Sequence, residues 1–207
     1  MTSAEPLLSI CGAQKRYGGR TVLRIDNFGI ADGDRILLVG QNGSGKSTLL
    51  RVLAGATTLT TGKINRSPPM HDLKIGYVPQ SGGMYGDMTL RENLEIYCGL
   101  FGLPWAEARL SSLHFWPALE PVQDLPIAQL SGGTQKLAML ACILAIEPDA
   151  LLLDEPASEL DGHHVVELYS LLADLCTTLR FIVVSTHDVR GLEFLHRTLE
   201  LSNGSFL

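Results

Sequence analysis

The segment "GQNGSGKST", from Gly40 to Thr48, matches the phosphate-loop pattern G-x-x-x-x-G-K-[ST]. The apolar run "DRILLV" precedes it and predicts a buried strand. The segment "KSTLLRVLAG" continues from it with the apolar spacing of a helix that stops at Gly55. The alternative is a glycine-rich loop that matches by chance. The flanking strand and helix argue against chance, because they are the context that the pattern requires.

This segment predicts a site for the phosphates of a nucleotide. Its glycines let backbone N–H groups turn inward around phosphate oxygens, and the next helix points its N-terminus at the anion. Lys46 is expected to reach the β- and γ-phosphates, and the Ser47 hydroxyl to ligate Mg²⁺. The predicted nucleotide-binding residues here are Gly40, Asn42, Gly43, Ser44, Gly45, Lys46, Ser47 and Thr48.

A second motif, "ALLLDEP", is an apolar strand that ends in two carboxylates. Asp154, at the tip of the strand, is predicted to hold the Mg²⁺ shell, and Glu155 to polarise an attacking water. The alternative is an ordinary surface Asp-Glu pair, which is less common directly after four buried residues. Together the two motifs predict a nucleotide-binding ATPase or GTPase, and they do not distinguish between ATP and GTP.

A third segment, "LSGGTQK", places two adjacent glycines before the apolar run "LAMLACILAI". Ser131 can cap the helix that follows, and Gly132 and Gly133 let the backbone approach an anion closely. The partial positive charge of a helix N-terminus favours such an anion. Taken alone, the segment would be better explained as a helix cap without a ligand.

Taken with the phosphate loop and "ALLLDEP", this third segment resembles the signature motif of the ATP-binding cassette (ABC) family. The resemblance covers nearly the whole chain, and the motifs follow the family's order. It implies ATP and Mg²⁺ as ligands and two cassettes packed head to tail. Ser131, Gly132 and Gly133 would then act on the ATP held by the partner subunit.

The resemblance also implies a fold and a domain organisation. The fold is an α/β P-loop NTPase: a RecA-like core with a mainly parallel sheet, an N-terminal antiparallel β part and an inserted helical subdomain. Strands that alternate with helices independently predict a mainly parallel sheet, and residues 89–125 have the pattern of two or three helices. We therefore expect one domain over residues 1–207, with the helical subdomain from about residue 85 to residue 145.

Further residues match the family's pattern in turn. Tyr17 in "KRYGG" matches the aromatic residue that stacks on adenine; ordinary packing is the alternative. Gln80 in "YVPQ" matches the glutamine that approaches Mg²⁺ and the attacking water, and a solvated loop residue is the alternative. His187 in "VVSTH" matches the switch histidine that contacts the γ-phosphate, although a lone His after a strand is usually an incidental cap. The segment "SELD" resembles the loop that crosses the dimer interface, with Glu159 where a small residue is usual.

Shorter patterns give the remaining elements. We predict strands at "LLSIC", "TVLRIDNF", "KIGYVPQ" and "RFIVVSTH", helices at "SGGTQKLAMLACILAI" and "GHHVVELYSLLADL", a turn at "KRYGG", a short helix at "DVRGLEFL" and a closing hairpin at "TLELSNGSFL". The loop "SGGMYGDMTL" carries Met84, Tyr85 and Met88. These side chains either tuck into the helical insert or contact another protein, and the resemblance favours contact with a membrane subunit.

The composition of the chain limits which partners and which location we expect. The chain has 207 residues, 45% hydrophobic and 18% charged, with a net charge of −6, so we expect a folded domain and no nucleic-acid partner. The longest apolar run, Leu137 to Ile146, falls short of the roughly 20 residues of a membrane span. The N-terminus lacks the features of a signal peptide, and four scattered cysteines suggest reduced thiols. We expect a cytoplasmic protein, peripheral on the cytoplasmic face of the membrane.

The expected partners are an integral-membrane permease subunit and a second ABC ATPase subunit, in a homodimer or a heterodimer. The form "SGGTQK" is closer to cassettes of two-component exporters, which favours export. Two alternatives remain open. One is a soluble ABC ATPase that acts on ribosomes or DNA, but the stretch between Lys46 and Ser131 holds no heptad run. The other is a nucleotide-sensing module without turnover, and the presence of Glu155 and His187 speaks against it.

Overall fold

The computed structural model describes residues 6–66, 73–104, 110 and 113–207. The parts of the N-terminal and helical-insert predictions that fall on residues 1–5, 105–109, 111 and 112 lie outside this description. Nine strands occur within the described ranges: β1 Leu8–Tyr17, β2 Arg20–Ile30, β3 Arg35–Val39, β4 Thr61–Arg66, β5 Ile75–Val78, β6 Ala150–Asp154, β7 Phe181–Ser185, β8 Arg197–Ser202 and β9 Ser205–Phe206.

The larger sheet has the strand order β5-β6-β7-β3-β8-β9 and is parallel except for its final β8–β9 pair. Every residue of β6 and β7 is buried, as continuous apolar runs in a parallel sheet require. Because the strands run the same way, the carboxyl ends of β3, β6 and β7 meet at one edge. Ligands bind at such an edge in open α/β sheets. The predicted α/β fold with a mainly parallel sheet is confirmed.

The smaller sheet is antiparallel, with the order β2-β1-β4, as predicted for the N-terminal part. The prediction of a turn over the whole of "KRYGG" is wrong. The strand β1 continues to Tyr17, and the turn consists of Gly18 and Gly19, both with positive φ. The edge strand β4 was not predicted, because its sequence "TGKINR" is polar and its only half-buried side chain is Ile64.

Three predicted helices of the α/β core are present. The first, α1, spans Lys46–Ala54 and ends at Gly55 in the left-handed conformation, as predicted. Two later helices, labelled α4 and α5 below, span Gly132–Ala145 and Gly162–Leu175. The helix α4 begins after Ser131, whose Oγ accepts a hydrogen bond of 3.2 Å from the Thr134 N–H.

The predicted helical region contains α2 (Leu90–Leu100) and the single turn α3 (Trp116–Leu119), followed by 3₁₀ turns at Glu120–Val122 and Ile127–Gln129. A reciprocal capping box between Thr89 and Glu92 starts α2. The helices α2 and α3 pack on α4 around a shared apolar cluster. The boundaries of a helical subdomain stay a prediction. None of the described helices has the length and apolarity needed to cross a membrane.

The C-terminal segment differs from its prediction in one part. "DVRGLEFL" forms turns and no helix, and Gly191 at its centre has a φ of 78°, which breaks a helical path. The closing hairpin of β8 and β9 is confirmed. Its turn residues Asn203 and Gly204 both have positive φ, as a two-residue hairpin turn requires.

Candidate functional site

The phosphate loop lies between β3 and α1 and fits only with glycine at two of its positions. A Cβ on Gly40 would come 2.2 Å from the Leu201 carbonyl oxygen, and one on Gly45 would come 2.9 Å from the Val22 carbonyl oxygen. Both glycines also have positive φ. The Gly204 N–H donates a 2.8 Å hydrogen bond to the Ser44 carbonyl. The C-terminal hairpin therefore supports the loop from behind.

Lys46 is the cation of this loop. Its side chain is buried, and its Nζ donates hydrogen bonds of 2.8 Å to the Gly40 carbonyl and 3.4 Å to the Gln41 carbonyl. Behind it, α1 begins without a side-chain cap. The Lys46 ammonium contacts only neutral carbonyls, so its positive charge is not neutralised by them. The uncapped N-terminus of α1 adds partial positive charge at the same loop. These residues therefore fit a phosphate group.

Asp154 stands at the end of β6 with 1% of its surface exposed. Its Oδ1 accepts a 2.7 Å hydrogen bond from the Ser185 Oγ, whereas its buried Oδ2 has no partner. A buried carboxylate oxygen without a partner calls for a cation. Mg²⁺ in phosphate sites uses one or two carboxylates together with phosphate oxygens, and Ser47 lines the same cavity. Asp154 and Ser47 therefore fit a magnesium ion.

Glu155 follows with a φ of 48°, which is a strained value for a side chain other than glycine. Its N–H donates to the Ser185 carbonyl at 3.0 Å, which fixes the turn. The His187 Nε2 lies 3.1 Å from the Glu155 Oε1, but not in hydrogen-bonding geometry. The Glu155 Oε1 is therefore a buried carboxylate oxygen without a hydrogen-bond donor.

A cavity of about 180 Å³ brings most of the predicted site residues together. It is lined by Val22, Asn42, Gly43, Gly45, Lys46, Ser47, Thr48, Gln80, Asp154, Glu155 and His187. Gly40 and Ser44 form the loop behind it, and the Ser44 Oγ is buried without a partner. Tyr17 does not line this cavity. It stands at the end of β1, 46% exposed, with the Lys15 Nζ 4.8 Å from its ring centre.

The predicted signature residues lie elsewhere. Ser131, Gly132 and Gly133 line a separate cavity of about 470 Å³ together with Glu159. The Glu159 carboxylate lies close against the first glycine, since a Cβ on Gly132 would come 2.2 Å from the Glu159 Oε2. One chain therefore carries the phosphate loop and the signature turn in two separate cavities.

The sequence analysis did not identify two residues that contact the predicted site residues. Ser185 is fully buried, contacts both Asp154 and Glu155, and is the register partner of Asp154 across β6 and β7. A Ser at the end of the apolar run "FIVVS" was the available signal. Lys136 is the second residue: it is buried in α4 and bonded to the Gln80 loop. A Lys next to the apolar run of that helix was its signal.

Comparison with known proteins agrees with this geometry. Residues 23–158 match the family model described as ABC transporter. The "Nod factor export ATP-binding protein I" of Ralstonia nicotianae is 35% identical over 201 residues, covering 93% of this chain and 63% of the relative. The protein of the same name from Sinorhizobium fredii is 32% identical over 195 residues, covering 90% and 57%. The chain thus spans less than two thirds of the length of these relatives.

Solved structures give the same result for the fold. An ATP-binding cassette named MJ0796, in a dimeric post-hydrolysis state bound to ADP and Pi, superposes with a TM-score of 0.83 at 25% identity, covering 96% of both chains. A second dimeric structure of this bacterial ABC transporter cassette gives 0.83 at 26% identity, also covering 96% of both chains. The family match spans more than half of the chain. The chain belongs to the ABC transporter family and is an ATP-binding cassette ATPase domain with the P-loop NTPase fold.

Proposed function

We propose that this chain binds and hydrolyses ATP with Mg²⁺ at the interface of two cassettes packed head to tail, and that hydrolysis drives export through a separate membrane permease. One observation carries the proposal: the phosphate loop and the signature turn line two separate cavities of one chain. A γ-phosphate held by Lys46 can meet a signature turn only if a second chain supplies that turn. The second chain is a copy of this one or a related cassette.

The charged residues of the phosphate-loop cavity, with Ser47 and Gln80, have proposed roles. Lys46 and the N–H groups of the loop hold the phosphates, and Ser47 and Asp154 hold Mg²⁺, which neutralises phosphate charge when bound. Glu155 is the general base that accepts a proton from the attacking water, an effect worth about 10²–10⁴-fold in rate. His187 contacts the γ-phosphate. Gln80 approaches the water and the metal from the loop after β5.

Tyr17 is proposed to stack on the adenine ring. It stands outside the phosphate cavity, at the end of β1, with 46% of its surface exposed and the Lys15 ammonium over one face of the ring. The proposal assigns the opposite face to the base. Stacking on an aromatic side chain is worth about 1–3 kcal/mol per base and does not distinguish one base from another. The proposal therefore implies only a weak preference for ATP over GTP.

The permease is proposed to contact the loop that follows Gln80. In that loop Tyr85 is 57% exposed, whereas Met84 is half-buried against the apolar cluster around α4. Of these two residues Tyr85 is therefore the one placed for contact with another protein. The variant Tyr85→Glu should weaken co-purification of the permease, and Tyr85→Phe, which keeps the ring, should not. Equal co-purification with both variants would place the docking surface elsewhere.

The proposal of export rests on the relatives. The two relatives named above are called export ATP-binding proteins, and we extend export, without a cargo, to this chain. The proposal places the chain at the cytoplasmic face of the membrane, with no nucleic-acid partner. It also treats residues 1–207 as one ATP-binding domain that contains a helical subdomain from about residue 85 to residue 145.

The shared site is tested by mixing two inactive variants. Lys46→Ala removes the phosphate-binding cation, and Gly132→Asp places a negative charge on the signature turn. Each variant alone should lack ATPase activity. An equal mixture should recover up to about a quarter of wild-type activity, because half of the dimers formed at random carry one complete site.

Two outcomes would contradict this proposal. Full activity of Gly132→Asp alone would mean that the phosphate-loop cavity works without a signature turn. A mixture that associates in the presence of ATP but hydrolyses none would mean that the two cavities do not form one site. A mixture of Lys46→Ala with wild-type chains at matched concentration controls for dilution of active subunits.

A further inference from the structure

Lys136 connects the helix that begins at the signature turn with the loop that carries Gln80. It lies in α4, one turn beyond the signature glycines, with 6% of its surface exposed. Its Nζ donates hydrogen bonds of 2.7 Å to the Gln80 carbonyl and 3.2 Å to the Pro79 carbonyl. The ammonium therefore fixes the backbone at the start of the Gln80 loop.

A buried ammonium is costly in this position. Lysine is among the residues least often buried, because its charge loses hydration, and the rest of α4 is packed with apolar side chains. Burial lowers the pKa of the Lys136 ammonium, while the carboxylates of Glu159 and Asp154 act in the opposite direction. A methionine would fill similar space without this cost, so packing alone does not account for the charged group.

The remaining part of the loop is held by other side chains. Asn93, fully buried in α2, accepts a 2.8 Å hydrogen bond from the Tyr85 N–H and donates one of 3.1 Å to the Tyr85 carbonyl. The Tyr97 hydroxyl donates to the Gly83 carbonyl. These contacts fix the loop beyond residue 82, whereas the contacts of Lys136 are at Gln80 itself.

We propose that Lys136 is a positioning residue that sets the place of Gln80 relative to the signature turn. The inference rests on the proposed function, in which Gln80 serves the ATP of its own chain and Gly132 serves the ATP of the partner. Lys136 stands on the signature helix and holds the Gln80 backbone. Lys136 therefore ties the helix that carries the signature turn to the loop that approaches the attacking water.

A double-mutant cycle tests this link. Lys136→Met removes the ammonium and keeps an apolar stem. It should lower kcat by about tenfold to a hundredfold with the KM for ATP changed less than about twofold, because misplacement affects the transition state more than ground-state binding. In a Gln80→Ala background, Lys136→Met should have little further effect. Lys136→Arg, which keeps a charged donor, should retain a kcat well above that of Lys136→Met.

Hydrogen exchange adds a readout that does not need turnover. In the nucleotide-free chain, Lys136→Met should speed amide exchange in residues 80–82 and leave residues 84–88 near the wild-type rate. Three results would each overturn the inference. The first is unchanged exchange in residues 80–82 of Lys136→Met. The others are losses of kcat that multiply independently in the double mutant, and equal losses of kcat in Lys136→Met and Lys136→Arg. A wild-type chain without ATPase activity would instead contradict the proposed function, and the exchange measurement would still decide the role of Lys136.

Discussion

The Ser185 Oγ donates a 2.7 Å hydrogen bond to the Asp154 Oδ1 and accepts one of 3.2 Å from the Glu155 N–H. Strand register places Ser185 beside Asp154, so one buried hydroxyl on β7 contacts both acidic residues at the end of β6. The proposed metal ligand and the proposed general base are therefore oriented by the same side chain.

Ser185→Ala should weaken the response to Mg²⁺. Without the hydroxyl, the Asp154 Oδ1 loses its hydrogen-bond donor. Loss of a group that orients a ligand typically costs about 10–100-fold in metal affinity or activity. The Mg²⁺ concentration that gives half-maximal ATPase activity should rise about tenfold or more. Val183→Ala, which removes buried volume from the same strand, is the control and should lower stability without this change. An unaltered Mg²⁺ response in Ser185→Ala would exclude the orienting role.

Glu159 should oppose closure of the dimer. Its carboxylate lies against Gly132, where the proposed function brings the γ-phosphate of the partner's ATP. Glu159→Gln removes the charge and nearly keeps the shape. It should lower the ATP concentration for half-maximal dimer formation by about two- to tenfold, more at low salt, because charges near a surface are screened by ions. Light scattering during ATP titration at two salt concentrations measures this shift. A weaker dimer would mean that the carboxylate makes a stabilising contact across the interface.

Gly204 should be needed for both stability and nucleotide binding. It has a φ of 81°, and a Cβ there would come 2.5 Å from the Val22 carbonyl oxygen. Gly19 has a φ of 83° with nothing within 4 Å of such a Cβ, so Gly19→Ala imposes similar backbone strain without a clash. Both variants should lose about 1 kcal/mol or more of stability.

The two glycine variants should differ in their affinity for ATP. Only Gly204→Ala should displace the hairpin that donates to the Ser44 carbonyl of the phosphate loop. Its affinity for ATP, measured by titration calorimetry, should therefore fall, whereas Gly19→Ala should bind as the wild type does. Equal affinities in the two variants would show that the hairpin does not support the loop.

Tyr97 should make the fold sensitive to alkaline pH. Burial, with smaller contributions from Cys142 and Tyr85, raises the pKa of Tyr97 to about 12 from its usual 10.0. A folded-state pKa above the unfolded value gives stability that is complete below pH 10 and is lost as the pH rises through 12. Tyr97→Phe has no such group. The stability of the wild type relative to Tyr97→Phe should therefore fall between these pH values, as measured by denaturant unfolding. A constant difference would mean that the hydroxyl is not protected by the fold.

The motifs were predictable because their chemistry is encoded locally. The phosphate loop needs glycine where the backbone has positive φ, and Asp154 follows an apolar strand, so both are visible in a few adjacent residues. Ser185 and Lys136 were missed because their importance depends on strand register and on a contact across 56 residues of chain. The polar edge strand β4 was missed for a related reason: pairing with β1, and not burial of its own side chains, makes it a strand.

The most direct test of the shared ATP site is light scattering of the Glu155→Gln variant. This change keeps the shape of the side chain and removes the proposed general base, so ATP should bind without being hydrolysed. We expect a monomer without nucleotide and a stable dimer that holds two ATP molecules under saturating ATP and Mg²⁺. A Glu155→Gln chain that binds ATP but remains a monomer under these conditions would contradict the head-to-tail site.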